Sequence, residues 1–265
     1  MEYCYLMETK NTILSKKDAA LLEDVIVHHG RIVSFDKLRQ IFSREYSLAE
    51  TRNRVSFLSK QGWLMRIKRG LYLIITDIGS LSSGDISGVS IAQALNKDSY
   101  ISFENALQHH GMFDQMLATV GAITFKRARR YKIRDWEVRF FRIKRKYYFG
   151  FSGERSDIGL VNIAHKEKAL LDMLYFRSNA HYASLVWEKL NDYKQKIDFN
   201  LLKKYAAKFN LDVARQAGFF IDRLGMDASD LEKAVKGRLS YSKMTNDSRE
   251  FSAKWRLYFE HSIVK

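Results

Sequence analysis

The segment SLAETRNRVSFLSKQGWLMRIKRGLYLII, residues 47–75, starts with a helix signal and finishes with a basic hairpin. Ser47 and Glu50 have capping-box spacing, which predicts a helix from Leu48. Leu48, Val55 and Leu58 fall on one face of it, and Asn53, Arg54 and Lys60 on or beside the other. Gly62 stops the helix. Trp63–Ile67 and Leu71–Ile75 then read as two strands joined through Lys68, Arg69 and Gly70. A polar, basic helix followed by a basic β-hairpin is the layout of a winged helix-turn-helix. It points to double-stranded DNA as a partner.

Upstream residues complete the unit. Ser15 caps a helix with Ala19, Leu22, Val25 and Ile26 inward, ending at Gly30. Ile32 and Val33 suit a short strand beside the wing. Ser34 caps a second helix that buries Leu38, Ile41 and Phe42, and Ser43–Tyr46 links it to the third. Downstream, residues 76–89 (TDIGSLSSGDISGV) read as a linker. The expected domains are 1–78, a winged helix-turn-helix, and 79–265, an α+β domain with a small sheet and a helical C-terminal half. In that second domain, 90–95 and 102–110 read as helices, the latter capped by Ser102. Residues 119–125, 136–143 and 147–151 read as strands. Helices are expected near 166–177, 182–194, 199–209, 212–224, 229–239 and 248–261.

Charge narrows the partner. The 265-residue chain carries +15, which favours a polyanion. Residues 15–75 hold twelve Lys/Arg against six Asp/Glu, and residues 124–146 hold eleven against two. Between them, residues 76–123 hold one against five. No run of about eighteen apolar residues exists, so no membrane span is expected. The N-terminal stretch is too polar for a signal peptide. The single cysteine, Cys4, excludes an internal disulfide and a cysteine-based zinc site. These features lead us to expect a cytoplasmic protein. Proline is absent, which has no functional account.

Several segments together resemble the AbiEi family of antitoxins, transcriptional regulators encoded beside nucleotidyltransferase-type toxins. They are GWLMRIKRGLYLI (62–74), YISFENALQHHGM (100–112), FGFSGERSDIGLVNIAHKEKALLDMLYF (149–176) and VARQAGFFIDRLG (213–225). Asn105 stands at a usual serine of the second segment and Met112 at a usual leucine. The chain also lacks the proline that many relatives have before the IA-x-x-EKALLD segment. The resemblance implies two activities. The N-terminal domain would bind inverted repeats in its own promoter, and the C-terminal domain would counter the toxin, directly or indirectly.

The expected DNA-binding set is Arg52, Asn53, Arg54, Ser56, Lys60, Arg66, Lys68 and Arg69. Asn and Arg reach adenine and guanine edges in a major groove, and wing cations suit phosphates. Glu50 is spent on the cap. Phe57 is off the core face, expected under the wing. Lys126, Arg127, Arg129 and Arg130 form a second basic surface on alternating strands. It suits an accessory phosphate contact, an RNA or an acidic patch on the toxin, against a plain solvated face. Interleaved Tyr131, Trp136, Phe140 and Phe141 suit a core at least as well as base stacking.

Other residues invite chemistry that the pattern does not support. His28–His29 and His109–His110 each precede a glycine stop, where histidine meets free helix carbonyls. His165, Glu167 and Lys168 open a helix whose buried face is Ala169, Leu170, Met173 and Leu174. Asp135, Glu137 and Arg139 have nuclease-like spacing with arginine where such sites use lysine. No phosphate loop, G-x-S-x-G or HExxH is present. The reading is of a binding protein with no enzyme activity, cofactor or metal. A stand-alone winged-helix transcription factor with a ligand-sensing second domain is the main rival. A DNA-directed nuclease and a winged domain that binds protein are the others.

Overall fold

The computed structural model describes residues 14–76, 87–133, 136–156 and 159–264. Most of the expected linker, and also Cys4 and Asp135, lie outside these residues. The chain divides into two compact units. The first comprises residues 1–97 with 132–137 and 155–161, and the second 98–131 with 138–154 and 162–265.

The first unit runs α1 (Lys16–His29), β1 (Ile32–Ser34), α2 (Phe35–Phe42), α3 (Leu48–Lys60), β2 (Leu64–Lys68), β3 (Leu71–Ile74) and α4 (Gly88–Leu95). Three serines set the helix starts, because a side-chain oxygen accepts one of the first turn's free N–H groups. Ser15 accepts from Asp18, Ser34 from Lys37 and Ser47 from Glu50. The Glu50 carboxylate in turn accepts from the Ser47 N–H at 2.8 Å, completing the capping box. Gly62, at φ +78°, ends the α3 turn in a backbone region open to glycine. The strands form a sheet in the order β1-β3-β2, with Val33 opposite Tyr72. The three helices, the short strand and the β2–β3 hairpin come in the order that the sequence predicts.

The buried faces of α3 and α1 differ from expectation at several positions. Leu48 is 40% exposed, and Thr51 joins Val55 and Leu58 inside. The inward face therefore starts at the second turn and repeats at four and three residues. In α1, Leu21 and Leu22 are buried with Val25, and so is Asp18, while Ala19 and Ile26 sit at the margin.

The chain continues with β4 (Ser99–Ile101), α5 (Phe103–His109), β5 (Thr119–Thr124), β6 (Arg129–Ile133), β7 (Trp136–Arg142), β8 (Phe151–Ser156) and β9 (Gly159–Ala164). These strands make one sheet in the order β6-β7-β5-β4-β9-β8. β4 pairs antiparallel with β5 and parallel with β9, so the sheet is mixed and larger than expected. Instead of a strand over 147–151, a 3-10 turn at Arg145–Tyr147 leads to a strand that begins at Phe151.

Helices follow: α6 (Lys166–Phe176), α7 (Ala180–Asp192), α8 (Phe199–Ala206), α9 (Leu211–Arg223) and α10 (Ser229–Val235). The helix expected over 248–261 is replaced by strands. β10 (Ser242–Lys243), β11 (Glu250–Ser252) and β12 (Leu257–Phe259) form a sheet in the order β10-β12-β11. Alternation explains the change: Trp255, Leu257 and Phe259 are buried, with Arg256 and Tyr258 between them less so, a period of two. Gly218 on α9 makes room for this sheet. A Cβ there would lie only 2.1 Å from the nearest atom of the Trp255 ring. The architecture is mixed α+β.

Candidate nucleic-acid interface

The outward face of α3 carries Arg52, Asn53, Ser56, Phe57 and Lys60, all exposed. Arg66 and Arg69 of the hairpin are exposed as well. Arg52, Ser56 and Ser59 of α3, Arg66 of β2, Tyr72 of β3 and Phe35 line an open hollow of about 270 Å³. Two cations on different elements thus border one depression. The Ser59 hydroxyl, absent from the sequence-derived set, is buried there without a hydrogen-bond partner. A serine beside Lys60 gives no sequence signal of its own.

Arg54 takes a different place from the one expected. Its guanidinium binds the Asp18 carboxylate through two nitrogens, Nε to Oδ1 at 2.6 Å and Nη2 to Oδ2. Asp18 is 1% exposed, and the Arg54 side chain 28%. Ser15 also donates to Asp18 at 2.6 Å. Burial pushes the Asp18 carboxyl up. The hydrogen bonds from Arg54 and Ser15 and the Arg54 charge outweigh it, and the net shift is downward from 3.8. The Arg54 guanidinium lies 4.6 Å over the Phe57 ring. Arg54 therefore ties α3 to α1, and Phe57 lies under that guanidinium. The buried acid that holds Arg54 looks in the sequence like an ordinary first-turn Asp.

Lys68 is exposed, but its ammonium donates to the Leu95 carbonyl at 2.8 Å, at the end of α4. Arg66 and Arg69 are the other exposed cations of the hairpin.

In the second unit, Lys126, Arg127, Arg129 and Arg130 are all exposed. Lys126 is paired with Asp98, and Arg129 donates to the Tyr131 hydroxyl at 3.4 Å. Arg142, Lys144, Arg145 and Lys146 are exposed too, and Arg145 lies 4.7 Å over the Phe125 ring. Of the interleaved aromatics, Phe140 is buried, and Tyr131, Trp136 and Phe141 are half-buried. Phe141 packs edge-on against Phe103 at 4.9 Å, as part of the interior.

The opening of α6 holds a fully buried polar cluster. Lys168 and Asp172 are both 0% exposed and paired one turn apart. The Lys168 ammonium donates to the Tyr100 hydroxyl at 2.7 Å, and Ser102 donates to Asp172 at 2.8 Å. Ser102 is thus spent on Asp172 and makes no cap bond to α5. Burial lowers the Lys168 pKa and raises those of Asp172 and Tyr100. Rings of Tyr100, Phe149 and Phe209 stand 5.0, 5.3 and 4.7 Å from the ammonium. Glu167 is buried beside it and accepts from the Asp198 N–H at 3.0 Å. These groups are mutually satisfied, so they hold the unit together. Of the histidines, His28 bonds the Asp24 carbonyl of its own last turn and His110 the Ala164 carbonyl, both at 2.8 Å.

No protein-family model matches the sequence, and no curated protein does. Among solved structures, the chain is similar to the RV2827C protein from Mycobacterium tuberculosis, at 13% identity and a TM-score of 0.64. The match covers 94% of this chain and 93% of that one, so the likeness extends across both units, as a likeness of fold.

Proposed function

We propose that this chain is a cytoplasmic DNA-binding antitoxin. It represses its own operon through α3 and the wing, and counters a nucleotidyltransferase-type toxin through the second unit. It acts by binding, without catalysis. The observation that carries the reading is the open hollow where Arg52 and Ser56 of α3 face Arg66 of the wing. A helix that offers Asn53 and Ser56 to base edges, flanked by arginines for phosphates, is a duplex-reading surface. The segments that resemble AbiEi antitoxins supply the toxin half of the proposal.

Base reading falls to Asn53 and Ser56, with Arg52, Lys60, Arg66 and Arg69 as phosphate anchors. Arg127, Arg129 and Arg130 form the toxin-facing surface. The test is a promoter footprint with the full chain over a salt series, run beside a toxin-rescue growth assay. Arg66→Ala should lower the salt slope by about one unit on any duplex. Asn53→Ala should cost roughly 1–3 kcal/mol on the cognate site alone. Charge reversal at Arg127, Arg129 and Arg130 should abolish rescue and keep sequence preference. An unchanged footprint for both α3 and wing variants would refute the DNA half, and full rescue would refute the toxin half.

A further inference from the structure

The sheet formed by β10, β12 and β11 turns one face inward and leaves the other open. Leu257 and Phe259 are buried, and Phe259 packs on Phe219 of α9 with ring centroids 4.6 Å apart. Alternation along β12 sends Tyr258 to the opposite face. The register sets Lys243 and Phe251 across from Tyr258 on its two neighbours, so one cation and two rings cross the sheet in a row. Tyr241, just ahead of β10, meets Tyr258 edge-on at 5.3 Å, and Phe251 lies 4.8 Å from Tyr258. Tyr241 is 59% exposed, Phe251 47% and Leu239 88%. Rings this open contribute little to a core, and together they make an apolar patch that asks for a partner.

Charge says which partner. Residues 236–246 carry Lys236, Arg238 and Lys243, all exposed, and no carboxylate. Lys243 sits beside the Tyr258 ring at 5.9 Å. The next acids in the sequence are Asp247 and Glu250. Glu250 alternates to the other side of β11 from Phe251 and lies 3.8 Å from His261.

We propose that this face stacks the unpaired bases of an RNA strand, with Lys236, Arg238 and Lys243 holding its phosphates. Flat rings set among cations match a ligand that alternates flat bases with anions. A DNA duplex keeps its bases inside and offers these rings nothing to stack on. Unpaired bases splayed onto aromatic sheet faces are the usual way RNA loops and ends are read, and three rings suit two or three bases. The inference does not depend on the operator reading, because every residue it uses lies in the second unit.

The test uses the full chain and a short fluorescein-labelled oligouridylate, read by anisotropy at low salt. Tyr241→Ala with Phe251→Ala should weaken RNA binding roughly 30-fold or more, since each stacked base is worth about 1–3 kcal/mol. Tyr241→Phe with Phe251→Tyr should keep wild-type affinity, because the rings remain. Lys236→Gln with Lys243→Gln should lower the salt slope by about 1.4 units. The unfolding midpoint and far-ultraviolet circular dichroism of each variant, measured in parallel, should match the wild-type protein, which separates lost stacking from lost folding. Wild-type RNA affinity in the double alanine variant overturns the proposal. So does equal affinity for the deoxy oligomer of the same sequence. Concentration-dependent self-association that the alanine variant alone loses, with RNA binding unchanged, assigns the face to a second copy of the chain instead.

Discussion

Removing Arg54 should loosen the first unit before it alters base preference. Asp18 is 1% exposed and takes two hydrogen bonds from Arg54, so Arg54→Ala leaves a buried carboxylate with Ser15 as its remaining side-chain partner. Stranding one member of a buried pair costs about 3–5 kcal/mol. Arg54 keeps 28% of its side chain exposed, so some water already screens the pair and the expected cost is about 2–4 kcal/mol. The reverse change is milder. Asp18→Asn leaves Arg54 able to turn its head to water, for about 1–2 kcal/mol. Asp18→Leu with Arg54→Met removes both charges together and should recover most of the loss. Hydrogen exchange on the full chain reads this element by element. In Arg54→Ala, amides of α1 and α3 should lose protection roughly 30- to 1000-fold, and those of α6 and α9 should not change. Sequence preference on operator DNA should survive wherever the variant is folded. Unchanged α3 protection together with lost base preference would refute the pairing argument and return Arg54 to the DNA.

Three further outcomes are expected. Lys168→Met strands Asp172 in the interior and should cost the second unit about 3–5 kcal/mol in urea unfolding, while Lys168→Met with Asp172→Leu costs far less; equal losses would deny the coupling. Asp18 has a lowered folded pKa, so its contribution to stability is present above the ordinary carboxyl value of 3.8 and drains away as pH falls through the lower folded value. Protection of α1 and α3 should therefore fall below about pH 4, and the Asp18→Leu, Arg54→Met protein should lack that component. Gly218→Ala drives a methyl into the Trp255 ring and should cost about 1–3 kcal/mol or more, seen as a lower unfolding midpoint; a neutral result would mean α9 is free to shift.

The N-terminal helices and the β2–β3 hairpin were legible because each of their signals is local. Ser47 with Glu50, the Gly62 stop and the Lys68–Gly70 turn each act within a few residues, and so does the Ser15 cap. Leu48 misled because a first-turn residue sits on the helical repeat without being covered by anything. Arg54 misled because its partner Asp18 lies 36 residues away, and no pattern in α3 announces it. The same distance problem hid the α6 cluster, where Lys168 meets Tyr100 across 68 residues. Residues 248–261 failed for another reason. FSAKWRLYFE carries aromatic and basic residues that fit a helical face loosely, and the period of two shows only over β12. The edge strand β6 was legible as a basic alternating stretch, while β4 and β9 were too short or too mixed in composition to stand out.

The parallel pairing of β4 with β9 bears on how the second unit comes to exist during synthesis. Ile101 must wait for Ile163, and Tyr100 and Ser102 must wait for Lys168 and Asp172. At about 5–20 residues per second, a ribosome takes roughly 3 to 14 seconds to span that gap. Throughout it, one edge of β4 has no strand beside it and two polar side chains have no partners. Lys168 and Asp172 arrive one turn apart on the same helix, so neither charge has to enter the interior alone. The pair travels neutralised, and the helix that meets the sheet is already balanced in charge.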